Sequence, residues 1–181
     1  LANAANALHH LVGATVGEAR QHPLVQLHLQ IAPAAQRARR HPLAQIPGQL
    51  PVRGLQLEPV HRDHPEWVPP LIMDRMDFLN RDKNPYFDHA EVELWIAERD
   101  GEPVGRVSAQ IDRNWDEYQG GNVGQFGFFE TIDDQEVASA LLDAGCEWLA
   151  GQGREKVYGP MDFTSNDEIG IQIYGFDIRR S

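Results

Sequence analysis

The chain has 181 residues, of which 41% are hydrophobic, and a formal net charge of −11. This length can hold one domain with an ordinary hydrophobic core, and the acidic balance argues against a nucleic-acid partner. The single cysteine, Cys146, cannot form an internal disulfide, which favours a reducing compartment. No apolar run approaches the ~20 residues that cross a bilayer, and the N-terminus does not resemble a signal peptide. We therefore expect a soluble, cytoplasmic protein with no membrane partner.

Residues 1–57 differ in composition from residues 58–181. They contain no Phe, Tyr, Trp, Asp or Lys, and their net charge of +4 leaves −15 for the rest of the chain. A segment without aromatic residues has little from which to build a specific core. We predict a poorly structured extension with at most a marginal helix near 4–19, and a basic arm that docks on an acidic surface is the alternative. The biased composition and the missing initiator Met also raise the hypothesis that this segment is translated outside the gene's proper frame.

An ordinary globular pattern begins near residue 58. Residues 71–79 predict a short helix. The pattern of 91–98 indicates a strand with one buried face, in which Val92, Leu94 and Ile96 alternate with acids and Trp95. Asp100-Gly101 suits a type I′ turn, and 103–111 is the returning strand. Residues 112–121 are polar and are expected to be mobile, with Trp115 and Tyr118 able to cover something nearby. The apolar residues expected to lie on one side of the short helix are Leu71, Ile72, Met76 and Leu79.

The stretch 122–161 predicts a strand, a helix and a second strand. Such a crossover places the two strands parallel and puts a ligand at the strand-to-helix turn. Strand 122–130 contains Gly124 and Gly127, which indicate a bulge or a close backbone approach. Helix 134–149 is expected to begin with Asp133 as N-cap and Glu136 completing a capping box, and strand 156–161 follows. The apolar helix positions are Val137, Ala138, Leu141, Leu142, Gly145, Trp148 and Leu149.

Several short blocks in order along residues 61–177 carry a family resemblance. They are Trp67-Val68-Pro69-Pro70-Leu71, Asn84-Pro85-Tyr86-Phe87, His89-Ala90-Glu91-Val92, Ala97-Glu98-Arg99-Asp100-Gly101 with Gly105-Arg106, Phe126-Gly127-Phe128-Phe129-Glu130, Gly159-Pro160, Asn166-Asp167-Glu168 with Gly170, and Gly175-Phe176-Asp177. With this order and spacing the chain resembles a bacterial branch of the GNAT (GCN5-related N-acetyltransferase-like) superfamily. The resemblance does not reach the first 57 residues.

The resemblance implies an α/β (α+β) fold with a mixed, mostly antiparallel sheet and flanking helices over 58–181. The fold would be incomplete, because its first strand would have to come from 52–60 and its last two strands would follow Ser181. We therefore expect a fragment, cut or frame-shifted at both ends.

The resemblance further implies an acyl-CoA co-substrate whose pantetheine arm lies between the fourth and fifth strands. Its pyrophosphate would meet the next helix N-terminus, and the acyl group would pass to an amine that the motifs do not identify. The residues expected to touch the cofactor are Phe128, Phe129, Thr131, Ile132, Gln135, Glu136 and Val137.

Three polar residues are candidates for handling the proton in such a transfer. Glu130 ends the fourth strand, and Asn166 and Glu168 follow the fifth. A solvated strand-end acid and a polar turn are the alternative interpretations of these residues. No metal site is expected, because His61 and His64 precede Pro65 rather than sharing a helix, and His89 stands alone.

The loop before the second helix departs from the family pattern. The usual loop contains glycines that let backbone amides wrap the phosphates, whereas residues 131–136 here contain no glycine and three carboxylates. A carboxylate near a phosphate costs ~1 to 4 kcal/mol per close pair. Two functional classes therefore stay open: an acyl-CoA-dependent N-acyltransferase, and a non-catalytic or truncated domain that does not bind acyl-CoA.

Overall fold

The structure is a computed structural model that describes residues 27–30, 57–62, 64–65 and 67–171. A five-stranded mixed sheet has the strand order β1-β5-β4-β3-β2. The predicted mixed α/β architecture is confirmed. The predicted helix at 4–19 and the block 175–177 lie outside the described residues. The elements are β1 (Leu27–Gln30), α1 (Glu58–His61), α2 (Ile72–Phe78), a 3-10 turn (Pro85–Asp88), β2 (Ala90–Arg99), β3 (Glu102–Asp112), α3 (Arg113–Gln119), β4 (Val123–Thr131), α4 (Gln135–Gly151) and β5 (Lys156–Gly159).

The edge of the sheet next to β5 differs from the sequence prediction. The first strand was expected near 52–60, of which 52–56 lie outside the described residues, and Glu58–His61 forms the short helix α1. The strand that pairs antiparallel with β5 is β1, far earlier in the chain. The division of the chain at residue 57 stays a prediction.

Strands β2 and β3 form the predicted hairpin. Asp100 and Gly101 have φ angles of 53° and 79°, as a type I′ turn requires. The prediction of a single buried face on β2 is wrong, because Trp95 is 7% exposed and packs against Trp148. Both faces of β2 are buried from Leu94 to Ala97, since α4 covers one face and the aromatic cluster described below covers the other.

Two elements near the sheet correct the sequence interpretation. Helix α2 is present, but of the four apolar residues expected on one side of it, Leu71 and Met76 are exposed, whereas Leu79 packs against the aromatic cluster. The polar stretch after β3, for which no regular element was predicted, forms α3. The carboxylate of Asp112 caps α3 by accepting hydrogen bonds from the Asn114 and Trp115 amides, and these bonds satisfy amides that the first turn leaves open.

The β4–α4–β5 crossover is present, with β4 and β5 parallel. The N-cap of α4 is Asp134, not Asp133 as predicted: the Asp134 carboxylate accepts hydrogen bonds from the Glu136 and Val137 amides. The shift by one residue keeps the same chemistry, because either aspartate can cap a helix. Six of the seven predicted apolar positions of α4 are buried; Trp148 is partly buried.

Two hydrophobic clusters lie on opposite faces of the sheet. The larger one packs α4 against β2, β3, β4 and β5. The smaller one, which we call the aromatic cluster, gathers Tyr86, Phe128 and Phe163 with nearby aliphatic residues. The rings of Phe163 and Tyr86 stack with centroids 4.7 Å apart. Strand β4 therefore contributes Phe126 to one core and Phe128 to the other.

Candidate functional site

The pairing of β4 with β5 stops well before β4 ends. Only Val123–Gln125 pair with Lys156–Tyr158. Further along, the Met161 amide donates to the Phe126 carbonyl at 2.8 Å. Within the described residues no β5 residue pairs with Phe129–Thr131. The two strands therefore separate, as expected, before the end of β4. In the described part of the chain, Glu130 and Thr131 pair only with β3, and Phe129 has no partner in the ladder.

A bulge in β4 lies at the same point. Ser108 stands opposite Gly127 and Arg106 stands opposite Glu130, so Phe128 and Phe129 together face one residue of β3. Phe128 has φ 46°, a left-handed conformation that L-residues seldom adopt. Gly127 is confirmed as a close backbone approach, because a Cβ there would collide with the carbonyl of Met161. The bulge turns the last residues of β4 out of register with their neighbours.

An ionic cluster surrounds the bulge on the side of the aromatic cluster. We call it the bulge cluster; its members are His61, Arg75, Arg106, Glu130, Asp162 and Glu168. Arg106 Nη2 lies 2.7 Å from Glu130 Oε2, and His61 Nε2 lies 3.4 Å from Glu130 Oε1. Arg75 forms an ion pair with Glu168. The guanidinium carbons of Arg75 and Arg106 each lie 5.8 Å from the centre of the Phe128 ring.

Glu130 is ionised in this setting. Burial alone would raise the pKa of its carboxyl group, but His61 and Arg106 outweigh that effect and lower the pKa. His61 is itself held by stacking on Trp67, with ring centroids 4.0 Å apart. The predicted general base is therefore a carboxylate already paired with the Arg106 guanidinium, which makes it a weak proton acceptor.

Asp162 is in the opposite situation. Its Oδ1 accepts a hydrogen bond of 2.7 Å from the Phe128 amide, and its Oδ2 lies 3.7 Å from Arg75 Nη1. Burial and the charge of Glu168 outweigh the hydrogen bond and the arginines, and they raise the pKa of Asp162 to about 6. Asp162 can therefore exchange a proton near neutral pH.

The three predicted catalytic residues do not meet at one point. Glu130 and Glu168 both belong to the bulge cluster, where arginines hold them. Asn166 is exposed on the turn after β5, where its backbone N–H donates a hydrogen bond of 3.2 Å to Thr164 Oγ1. No described contact connects Asn166 to Glu130, so the structure separates it from the other two.

The predicted cofactor residues fall into two groups. Phe128, Thr131 and Val137 are at most 3% exposed, so only their backbone atoms can reach a ligand without rearrangement. Phe129 and Ile132 are partly buried against the larger core, while Gln135 and Glu136 are exposed in the first turn of α4. The hydroxyl of Thr131 is buried and has no hydrogen-bond partner.

The first turn of α4 carries its own anion. The Asp134 carboxylate occupies the amides of the second and third helical residues, and Arg99 Nη1 lies 2.9 Å from its Oδ2. Burial would raise the pKa of Asp134, but the Arg99 contact and the two amide bonds outweigh it and lower the pKa. A phosphate group at this turn would have to compete with that carboxylate for the same amides.

Sequence reasoning missed Arg75, Arg106 and Asp162. Asp162 directly follows the predicted fifth strand, so the general tendency of ligand sites to lie beyond strand ends could have drawn attention to it. Arg106 faces Glu130 only because the bulge shifts the register between β3 and β4. Arg75 reaches the cluster from α2, where sequence reasoning considered only the apolar residues.

Among the described residues, no group of three His, Cys, Asp or Glu side chains could hold a metal ion. In the same part of the chain, no helix combines the length and apolar composition needed to cross a bilayer.

Comparison with protein families decides the classification. The model of the Acetyltransferase (GNAT) family matches residues 57–170, well over half of the chain. The chain belongs to the GNAT family. The matched range contains the bulge, the bulge cluster and the whole β4–α4–β5 crossover. The resemblance seen in the sequence blocks is confirmed. The GNAT family is one of acyltransferases, which generally use an acyl-CoA as co-substrate.

Two curated relatives share this GNAT region. Bacterial ceramide synthase of Caulobacter vibrioides is 43% identical over 114 residues, which make up 62% of this chain and 30% of that protein. Protein YghO of Escherichia coli is 42% identical over 118 residues, 65% of this chain and 30% of that protein. The chain therefore spans 30% of the length of each of these two relatives.

Proposed function

We propose that this chain is the acyl-CoA-binding part of an N-acyltransferase, which moves an acyl group from the thioester to an amine. The observation that carries the proposal is the end of β4, where Phe129–Thr131 run past the last residue paired with β5 and lead directly into α4. An extended thioester arm can add to such a strand end through backbone hydrogen bonds. Membership of the GNAT family supports the same chemistry.

The positions around this strand end support a division of labour. Backbone groups of Phe129–Thr131 would hold the pantetheine arm, because the side chains of Phe128 and Thr131 are buried. Gln135 and Glu136 in the first turn of α4 would meet the nucleotide end. Arg99 is 41% exposed beside that turn, and it can offer a positive charge to the pyrophosphate in the absence of a glycine-rich loop.

We propose a long-chain primary amine as the acceptor. The support is the 43% identity to the Caulobacter protein named a ceramide synthase, since a ceramide is the amide of a fatty acid with a long-chain amino alcohol. Leu71, Met73 and Met76 are exposed on the helix that carries Arg75, or next to it. These apolar side chains are suited to contact with an alkyl chain close to the bulge cluster.

The test is an acylation assay with the intact protein. Palmitoyl-CoA and sphinganine are supplied together, free CoA is followed with a chromogenic thiol reagent, and the amide is identified by mass spectrometry. We expect CoA release that depends on the amine and equals the amide formed. Acetyl-CoA with the same amine serves as the matched comparison for chain length. Absence of amide with both donors would contradict the proposal.

The second candidate is a domain that keeps the fold without binding acyl-CoA. The observation that favours it is the Asp134 carboxylate on the Glu136 and Val137 amides, which are the groups that a pyrophosphate needs. Calorimetric titration with acetyl-CoA separates the two candidates. Heat with a saturable isotherm supports the acyltransferase, whereas no heat at millimolar ligand supports the second candidate.

The proposal also includes a cytoplasmic setting and no nucleic-acid partner. The lone Cys146 and the net charge of −11 support these points. Fractionation of cells that express a tagged copy tests the first point.

A further inference from the structure

Two carboxylates flank the β4 bulge, and their surroundings differ in kind. Glu130 has a guanidinium at 2.7 Å and the His61 ring at 3.4 Å. Asp162 has a backbone amide at 2.7 Å, while its nearest cation is 3.7 Å away, beyond hydrogen-bond distance. Pairs of carboxylates in contrasting environments divide roles between an ionised stabiliser and a group that exchanges protons.

The position of Asp162 fits the second role. Its side chain is 11% exposed, so most of the carboxyl group is shielded from water while a small part stays accessible. Through the Phe128 amide it is anchored to the bulge, immediately before Phe129, Glu130 and Thr131, the last three residues of β4. A group fixed there borders the strand end at which the thioester is expected to lie.

We propose that the Asp162 carboxylate is the proton acceptor of the reaction: it takes the proton that the acceptor amine loses as the amide forms. This inference rests on the N-acyltransferase function proposed above. It replaces Glu130, the base expected from sequence, with a residue that the motifs did not single out.

The step balances as follows. The amine nitrogen attacks the thioester carbonyl carbon, a carbon–nitrogen bond forms and the carbon–sulfur bond breaks. The electron pair of the broken bond leaves on the CoA sulfur. The extra proton on nitrogen passes to Asp162, which then returns it to the CoA thiolate or to water. The products are the amide and free CoA, and no oxidant or metal is required.

Charged groups face Asp162 from several elements. Arg75 approaches from α2, Arg106 from β3 and Glu168 from the segment after β5. Glu130 on β4 lies in the same cluster, and its carboxylate contacts Arg106 and His61. Because Glu168 is 74% exposed, it can be changed with little effect on packing, and its negative charge is one of the influences that keep Asp162 protonated at mildly acid pH.

The experiment compares the pH profile of kcat/KM for the intact protein and three variants, with palmitoyl-CoA and sphinganine. Asp162→Asn keeps an oxygen for the Phe128 amide but cannot accept the proton. We expect kcat/KM to fall about 10²–10⁴-fold, with the acid limb of the profile lost and the calorimetric affinity for palmitoyl-CoA retained. Asp88→Asn, which removes the same charge from an exposed site, is the matched control and should leave the profile unchanged.

Glu168→Gln guards against a folding defect in the first variant. It removes the negative charge next to Asp162, so the midpoint of the acid limb should move to lower pH. An Asp162→Asn variant that keeps the limb, or a Glu168→Gln variant whose midpoint does not move, would overturn the role of Asp162. If the wild-type protein forms no amide, the proposed function fails instead, which is a separate outcome.

Discussion

Arg106 and Glu130 face each other on β3 and β4, and 2.7 Å separates their closest side-chain atoms. Arg106 is 6% exposed and Glu130 is 32% exposed, so the pair is mostly removed from water. We expect Glu130→Gln to lower the free energy of unfolding by about 1–3 kcal/mol, because a buried guanidinium loses its charged partner. Urea unfolding at pH 7 measures the change. Glu91→Gln, in an exposed pair with Arg113, should cost under about 1 kcal/mol.

The same pair predicts a pH dependence. The pKa of Glu130 is lower in the folded protein than in the unfolded chain, so its stabilising effect is present above the unfolded value of about 4.3. That effect is lost as the pH falls from about 4.3 through the lower folded value. The unfolding free energies of wild type and Glu130→Gln should therefore converge in acid. A constant difference between pH 7 and pH 3 would contradict this account.

Asp162 predicts a stability effect of the opposite sign. Its folded pKa of about 6 lies above the usual value of 3.8, so the folded state binds the proton more tightly and stability falls as the pH rises from about 4 to 6. The shift of about two pKa units corresponds to roughly 2–3 kcal/mol at neutral pH. We expect Asp162→Asn to be more stable than wild type at pH 7 and equal to it at pH 4, as measured by urea unfolding.

This stability result bears on the proposed role as well. A carboxylate that destabilises the fold is retained only at the expense of stability, which is a common property of functional residues. An Asp162→Asn protein that unfolds more easily at pH 7 would instead make the hydrogen bond to Phe128 the main contribution of Asp162, and its role would then be structural.

Gly127 is where β4 passes closest to the segment after β5. A methyl group at this position would collide with the carbonyl group of Met161. The colliding atoms belong to the backbone, so neither segment can move aside as a flexible side chain could. We expect Gly127→Ala to lower the unfolding free energy by about 1–3 kcal/mol, as measured by thermal or urea unfolding.

Gly145 is the matched control for Gly127. It lies within α4, where an added Cβ would meet only Ala109 at an ordinary 3.6 Å. Gly145 also lines a small apolar cavity between α4 and the sheet, together with Cys146 and Leu149. Gly145→Ala should be neutral or stabilise the protein by about 0.5–1 kcal/mol, because alanine is the better helix former. Equal losses in both variants would show that the contact with Met161 is not responsible.

The β2–β3 hairpin and the β4–α4–β5 crossover followed from local signals, and the site did not. The Asp100-Gly101 turn and the apolar spacing of α4 are encoded within a few residues, and the structure confirms both. The meeting of Arg75, Arg106 and Asp162 depends on how three separate elements pack. It also depends on a bulge that shifts register by one residue, which the glycines of β4 indicated only in general terms.

The errors have a related cause. Trp95 was assigned to the open face of β2 because alternation with acids predicts one buried face, but α4 covers the side on which Trp95 lies. No helix was predicted for the residues of α3 because they are polar, although the Asp112 cap is a local signal that could have been used. For α2, the apolar residues were grouped on one side by their spacing, whereas the inward contacts come from Arg75, Phe78 and Leu79.

The first turn of α4 leads to a prediction about CoA affinity. Asp133 and Asp134 place two carboxylates where a pyrophosphate would bind, and each close carboxylate–phosphate pair costs about 1–4 kcal/mol. Asp133→Gly combined with Asp134→Asn removes both charges while asparagine still caps the helix. Arg99, which contacts Asp134 at 2.9 Å, also becomes available to the phosphates. We expect the double variant to bind acetyl-CoA about tenfold more tightly or better, since 1.4 kcal/mol is a factor of ten.

Calorimetry with acetyl-CoA measures this change. The matched control is Glu147→Gln combined with Glu155→Gln, two exposed acids outside the first turn of α4. This control alters the net charge by the same amount but should leave the affinity unchanged at moderate salt, because distant charges are screened. A similar gain in both double variants would trace the effect to overall charge. No gain in the Asp133/Asp134 variant would mean that these carboxylates do not oppose the phosphates, and the nucleotide would have to approach α4 by another path.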